Sequence, residues 1–184
     1  MILGDLDAEI LSMREAGIET EIEENGTTFA ENAVIKAQAL RPFTDAIVMA
    51  DDSGLVIDAL NGEPGVYSAR YMDGAPYEVR NRNLIARLEG KQGKERSARF
   101  VCVIAASYPD GRVITAEGTM EGQIAEEPAG ENGFGYDPIL FLPEYGKTSA
   151  ELSPEEKNAI SHRGKALRAM RKKLEKTDES TDCQ

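Results

Sequence analysis

The chain has 184 residues, 41% of them hydrophobic, which suffices to bury the core of one globular domain and excludes a disordered polypeptide. Its formal net charge is −12 and its pI is near 4.6, which excludes a nucleic-acid binder but not a small anionic ligand clamped by a few local cations. No apolar run reaches the length of a membrane span, the acidic start from Met1 to Asp7 lacks the basic region of a signal peptide, and two cysteines without a pairing signal fit a reducing cytoplasm.

Residues 1–6 read as the last turn of a helix, and Asp7 to Met13 as a candidate strand. Thr28-Phe29-Ala30-Glu31 fits a capping box, opening a helix that runs to Arg41, where Pro42 stops it. Strands are expected near 46–50 and 55–59, separated by a turn over Asp51-Asp52-Ser53-Gly54. Asn61-Gly62 marks a further turn, and Pro76 suits the first turn of a helix ending before Gly90. Arg99 to Tyr108 is a near-continuous apolar strand. Pro109-Asp110-Gly111 turns it back into a hairpin partner from Arg112 to Glu117, a pairing extended by Met120 to Ala125. A glycine-rich loop over 128–138 leads into a strand over Ile139 to Leu142. Ser153-Pro154-Glu155-Glu156 is a strong helix start; that helix pauses at Ser161-His162-Arg163-Gly164 and resumes to about Lys176. The expected organisation is α/β with a mixed sheet: one domain over 1–176 and a frayed polar tail over 177–184.

Three constellations carry chemistry. Asp51 and Asp52, parked at the end of a strand, repel each other unless a cation or proton sits between them. Around them Glu23, Glu31 and Lys36 complete an acidic and basic set of the kind Mg²⁺ uses with phosphate oxygens. Taken singly, Glu31 also reads as a capping residue only, Lys36 as a surface lysine and Glu23 as part of a solvated run. The second constellation is Gly133-Phe134-Gly135-Tyr136-Asp137-Pro138, in which glycines let the backbone approach a ligand and Phe134 or Tyr136 offers a stacking face; a tight turn with a core aromatic explains it equally well. The third is Lys157, His162 and Arg163, which also reads as a basic helix face. Residues five apart on one helix point roughly 140° away from each other, so Lys157 and His162 share a site only if the helix breaks between them. One histidine and two distant cysteines lack zinc-ligand spacing, and no serine sits in a nucleophile-elbow context.

Five segments occur together and in order: Thr28-Phe29-Ala30-Glu31-Asn32-Ala33, Ala50-Asp51-Asp52-Ser53-Gly54-Leu55, Pro64-Gly65-Val66-Tyr67-Ser68-Ala69-Arg70-Tyr71, Gly133 to Pro138, and Ser161-His162-Arg163-Gly164. Together they resemble the inosine triphosphate pyrophosphatase family of XTP/dITP diphosphatases, over about residues 2–175. The resemblance implies an elongated two-lobed α/β fold, a homodimer, Mg²⁺, and hydrolysis of XTP, ITP and dITP to the monophosphate and pyrophosphate. It further implies Asp52 as proton acceptor and metal ligand, Glu23 as the second metal-side acid, and Glu31 and Lys36 close to the phosphates. Ser53 would contact substrate, while Phe134, Gly135, Tyr136, Asp137, Lys157, His162 and Arg163 would line the nucleotide pocket.

Family members begin with a strand and a phosphate loop of the form Thr-Gly-Asn-x-x-Lys, which this sequence does not contain. The expectation is a start upstream of Met1, and activity that depends on the upstream segment. Two alternatives stay open at this point: a nucleotide-binding or dimerising remnant without turnover, and a pyrophosphatase acting on modified pyrimidine nucleotides.

Overall fold

The computed structural model describes residue 2 and residues 8–181, with side chains through Lys176. Five strands lie in the order β1-β2-β3-β4-β5: β1 (Val48–Ile57), β2 (Ser97–Ser107), β3 (Val113–Ile124), β4 (Leu140–Leu142) and β5 (Lys147–Thr148). Each consecutive pair is antiparallel, so among the described residues the expected mixed sheet is antiparallel throughout, a chain of hairpin-like returns. Among the described residues four α-helices accompany it: α1 (Phe29–Ala39), α2 (Tyr77–Ala86), α3 (Pro154–Ile160) and α4 (His162–Thr181). The last runs beyond the expected end at Lys176.

The capping signals in the sequence are realised. Thr28 caps α1, accepting from the Glu31 N–H while Glu31 reaches back, and Ser153 does the same for α3 with Glu156. The apolar run of β2 is buried on both faces because helices cover both. On one face Val101, Val103 and Ala105 pack under Ala33 and Ala37 of α1 and its C-cap Leu40. On the other, Cys102, Ile104 and Ala106 pack under Ala166, Met170 and Leu174 of α4. Further along that second face a larger core gathers Leu55, Ile57, Phe100 and Met120 beneath α2 and the segments around β4. The second face therefore carries two separate covers, and the gap between them is where the candidate site lies.

Two further expectations are corrected. The strand expected from Asp7 to Met13 does not form over its described part, where Ile10 and Leu11 are each 52% exposed; no strand of the described sheet pairs with it. The turn expected over Asp51 to Gly54 is instead the middle of one ten-residue strand, paired to β2 at every position from Val48 to Ile57. Asp, Ser and Gly suit turns locally, but continuous pairing with Ile104, Val103, Cys102 and Val101 overrides that preference. Gly54 serves close packing rather than a turn: a Cβ there would lie 2.5 Å from the Gly65 carbonyl oxygen and 2.6 Å from Ser68 Oγ.

Helix α4 sits directly against β3 at Gly118, where a Cβ would lie 2.3 Å from the His162 carbonyl oxygen and 2.5 Å from the Ala166 nitrogen. Both are backbone atoms and cannot rotate away. Gly118→Ala is therefore expected to destabilise the fold by about 1–3 kcal/mol, the usual cost of overpacking, read from urea unfolding. An unchanged midpoint would show that α4 does not need this close approach.

Candidate active site

The side chains of β1 alternate between its two faces, so adjacent Asp51 and Asp52 do not share a cation, contrary to the sequence reading. Each meets its own. On the α1 face, Asp52 is 9% exposed; its Oδ1 accepts from Lys36 Nζ at 3.0 Å and its Oδ2 from Asn32 Nδ2 at 3.2 Å. Lys36 also pairs with Glu24 at 3.2 Å. Asn32 is fully buried, and its Oδ1 accepts the Gly26 N–H at 2.8 Å, which ties the loop before α1 to Asp52.

Glu31 and Glu23 stand apart from this group. The Glu31 carboxylate accepts from Thr27 N and Oγ1 and from Thr28 N, at 2.6, 2.7 and 3.2 Å, and these bonds, led by the Thr27 hydroxyl, hold its pKa below the ordinary glutamate value. Its Oε2 is thus committed to the helix cap. Glu23 is exposed, and the acid that reaches Lys36 is its neighbour Glu24. Sequence reasoning missed Asn32 and Glu24. The signal for Asn32 was present: it lies four residues before Lys36, hence on the same face of α1.

On the α4 face, the gap between the two covers is a cavity of ≈ 520 Å³, within the range of small-ligand sites. Ser53 and Phe100 belong to its lining. Its far wall is the junction of α3 and α4, broken at Ser161, whose φ of −60° and ψ of 147° are extended. That break brings Lys157, His162 and Arg163 to one cavity, as the sequence geometry required. His162 lies over Phe100 with ring centroids 5.0 Å apart, and its Nδ1 is buried without a hydrogen-bond partner. Burial, reinforced by the positive charge of Arg163, pulls its pKa down to about 4. Arg163 Nη2 donates to Asp51 Oδ2 at 2.8 Å.

The glycine-rich loop forms the remaining wall. Asp137 is almost fully buried; its Oδ2 accepts from Lys157 Nζ at 2.6 Å and from the Phe134 N–H at 2.8 Å, and its Oδ1 accepts from Ser149 Oγ at 2.8 Å. Gly133 permits this, since a Cβ there would lie 2.2 Å from Asp137 Oδ2. Gly135 holds φ at +65° and presents its carbonyl to Asn81 Nδ2. The two aromatics divide. Tyr136 is 5% exposed, with its hydroxyl donating to the Ser68 carbonyl and its ring edge-on to Tyr77, so most of it packs in the core while it still lines the cavity. Phe134 is 74% exposed at the cavity, with Lys157 Nζ 5.6 Å from its ring centroid, and it is the ring with a face to offer.

The sequence profile of the Ham1 family matches residues 1–173. A dITP/XTP pyrophosphatase of Desulforamulus reducens is 53% identical over 162 residues, covering 87% of this chain and 80% of that protein. One of Clostridium perfringens is 48% identical over 180 residues, covering 94% and 88%. Among solved structures, a HAM1 protein from Coxiella burnetii superposes with a TM-score of 0.88 at 44% identity, over 95% of this chain and 90% of that one.

The lowered pKa of His162 has a consequence for stability. Between about pH 6.5 and 4 the unfolded chain takes up a proton at this residue that the folded chain refuses, so stability is lost as pH falls through that window. His162→Gln is expected to lose less stability than the native chain between pH 7 and 5, by at most about 1.4 kcal/mol per pH unit. Urea unfolding of both proteins at the two pH values measures this, and parallel losses would contradict the buried neutral imidazole.

Proposed function

The chain belongs to the Ham1 family, and we propose from that premise that it hydrolyses the non-standard purine nucleoside triphosphates ITP, XTP and dITP to the monophosphate and pyrophosphate. The observation that carries the reading is the placement of two chemically distinct sets on the two faces of one strand. An aromatic and basic cavity suited to a nucleobase lies on the α4 face. A carboxylate and lysine cluster suited to phosphate chemistry lies on the α1 face. Asp51, Asp52 and Ser53 are consecutive on β1, so a nucleotide bound beside them would engage both sets. On this reading residues 1–176 act as one catalytic unit, as a homodimer in the cytoplasm.

In the base pocket, Phe134 stacks on the purine and Lys157 stays fixed beside it by Asp137. Arg163 donates to a 6-oxo group, an interaction that the 6-amino group of adenine cannot accept. His162, neutral above about pH 4, supplies a flat apolar face and an imidazole nitrogen without adding charge. On the other face, Asp52 takes the proton of the attacking water as the new phosphorus–oxygen bond forms and the pyrophosphate leaves. Lys36 balances phosphate charge.

The donor set also fits Mg²⁺, which takes one or two carboxylates and fills its other positions with water and phosphate oxygens. Asp52 and Glu24 both reach the Lys36 ammonium, so two carboxylates converge on one cationic position. Asp52 and an acid of the Glu23–Glu24 pair would hold the ion, with Glu24 the better placed of the two. When bound, it would offset triphosphate charge and lower the pKa of an attacking water.

The test is to supply ITP, XTP and ATP with Mg²⁺ and to measure pyrophosphate separately from orthophosphate. Pyrophosphate from ITP and XTP well in excess of that from ATP is the expected result; orthophosphate as product, or equal use of ATP, would remove the reading. Asp52→Asn is expected to lower kcat for ITP by about 100-fold or more while the thermal midpoint stays near the native value. Near-native turnover in that variant would remove Asp52 as the base.

A further inference from the structure

The reading above leaves Asp51 without a task, although its carboxylate joins three elements of the site. Asp51 Oδ2 accepts from Arg163 Nη2 at 2.8 Å, from Ser53 Oγ at 3.0 Å, and lies 3.9 Å from the buried Cys102 Sγ. We propose that Asp51 is a positioning residue for purine selectivity: it fixes the Arg163 guanidinium and the Ser53 hydroxyl at the cavity, so that a 6-oxo purine meets a donor already in place. The proposal rests on the pyrophosphatase reading and deepens it.

The geometry supports this in two ways. First, the anchor is rigid, since Asp51 and Cys102 lie on adjacent paired strands and Arg163 sits in the first turn of α4, which Gly118 holds against β3. Second, selectivity needs the pairing and not merely the two residues. The Arg163 side chain is 50% exposed, and a long unpinned arginine spreads over many rotamers, so its donor would be ordered only at the moment of binding. An unpaired Asp51 would itself accept a hydrogen bond from a 6-amino group and favour the wrong purine. Pairing thus fixes the donor and occupies the Oδ2 acceptor with one contact.

Because the Asp51 side chain is 39% exposed and Arg163 half exposed, solvent weakens the pair and the expected effect is moderate. The test measures affinity for inosine and adenosine monophosphates by calorimetry, alongside kcat and KM for ITP and ATP. Asp51→Asn is expected to reduce the preference for inosine about tenfold, through the Kd for inosine monophosphate and the KM for ITP more than through kcat. Asp51→Glu should restore part of it. In an Arg163→Ala background, Asp51→Asn should cause no further loss of preference, since the residue acts through the arginine. Unchanged preference in Asp51→Asn, or a second loss of equal size in the Arg163→Ala background, would overturn the assignment. Asp51→Ser serves as a second variant, and failure of both to fold would make Asp51 structural and overturn it equally. A native chain that binds the two monophosphates equally removes the pyrophosphatase reading together with this inference. Native preference with unaffected Asp51 variants removes the inference alone.

Discussion

The two-residue period of β1 is the constraint on which the site depends. Had Asp51 and Asp52 occupied a turn, their carboxylates would have shared one patch of solvent and one counter-charge. Held in a paired strand, they face opposite ways, and each draws a cation from a different helix: Lys36 from α1 for Asp52, and Arg163 from α4 for Asp51. On the proposed reading, the sheet between them separates base recognition from phosphate chemistry by the thickness of one strand. Along the side of β1 away from β2, the segment from Pro64 to Ser68 packs against its second half, with a bridge from Val56 to Pro64 and a hydrogen bond from the Leu55 N–H to Ser68 Oγ.

The helices reach the sheet closely enough for this because small residues lie beneath them. Ala33 and Ala37 of α1 and Ala166 of α4 are fully buried, and Gly118 removes the last obstacle under α4. Close approach matters most at the start of α4, where the break at Ser161 redirects the chain. Without the break, Lys157 and His162 would diverge around one helix; without Gly118, the redirected helix would stand off the sheet and carry Arg163 away from Asp51. The glycine-rich loop obeys the same rule, since Gly133 leaves room for the Asp137 carboxylate that fixes Lys157.

What was legible in the sequence was what local chemistry decides. The caps at Thr28 and Ser153 each depend on four consecutive residues and formed as read. The long hairpin of β2 and β3 followed from an apolar run and a Pro-Asp-Gly turn, and the need for a helix break followed from 100° per residue. What was not legible depends on partners far away in the chain. Asp51 to Gly54 resembles a turn until β2 is laid beside it, and the pairing partners are some fifty residues distant. The two-residue β5 has no pattern to detect and exists only because β4 is beside it. Likewise Tyr136 and Phe134 are equivalent as letters, and only the Ser68 carbonyl, reached from the β1 side of the core, assigns one to the interior and leaves the other exposed.

The charge balance follows the same logic. A chain of net charge −12 repels a triphosphate at long range, so attraction has to be local. Yet each cation of the candidate site is already paired: Lys36 with Glu24 and Asp52, Lys157 with Asp137, Arg163 with Asp51. Pairing lowers the pull that each cation exerts on an incoming phosphate or carbonyl, but it also fixes where each stands before the ligand arrives. A lysine held at 2.6 Å by a buried aspartate has little rotamer freedom left to lose on binding. The site therefore trades raw electrostatic attraction for preorganisation. In an acidic protein that must distinguish one small anion from another of equal charge, position discriminates where charge cannot.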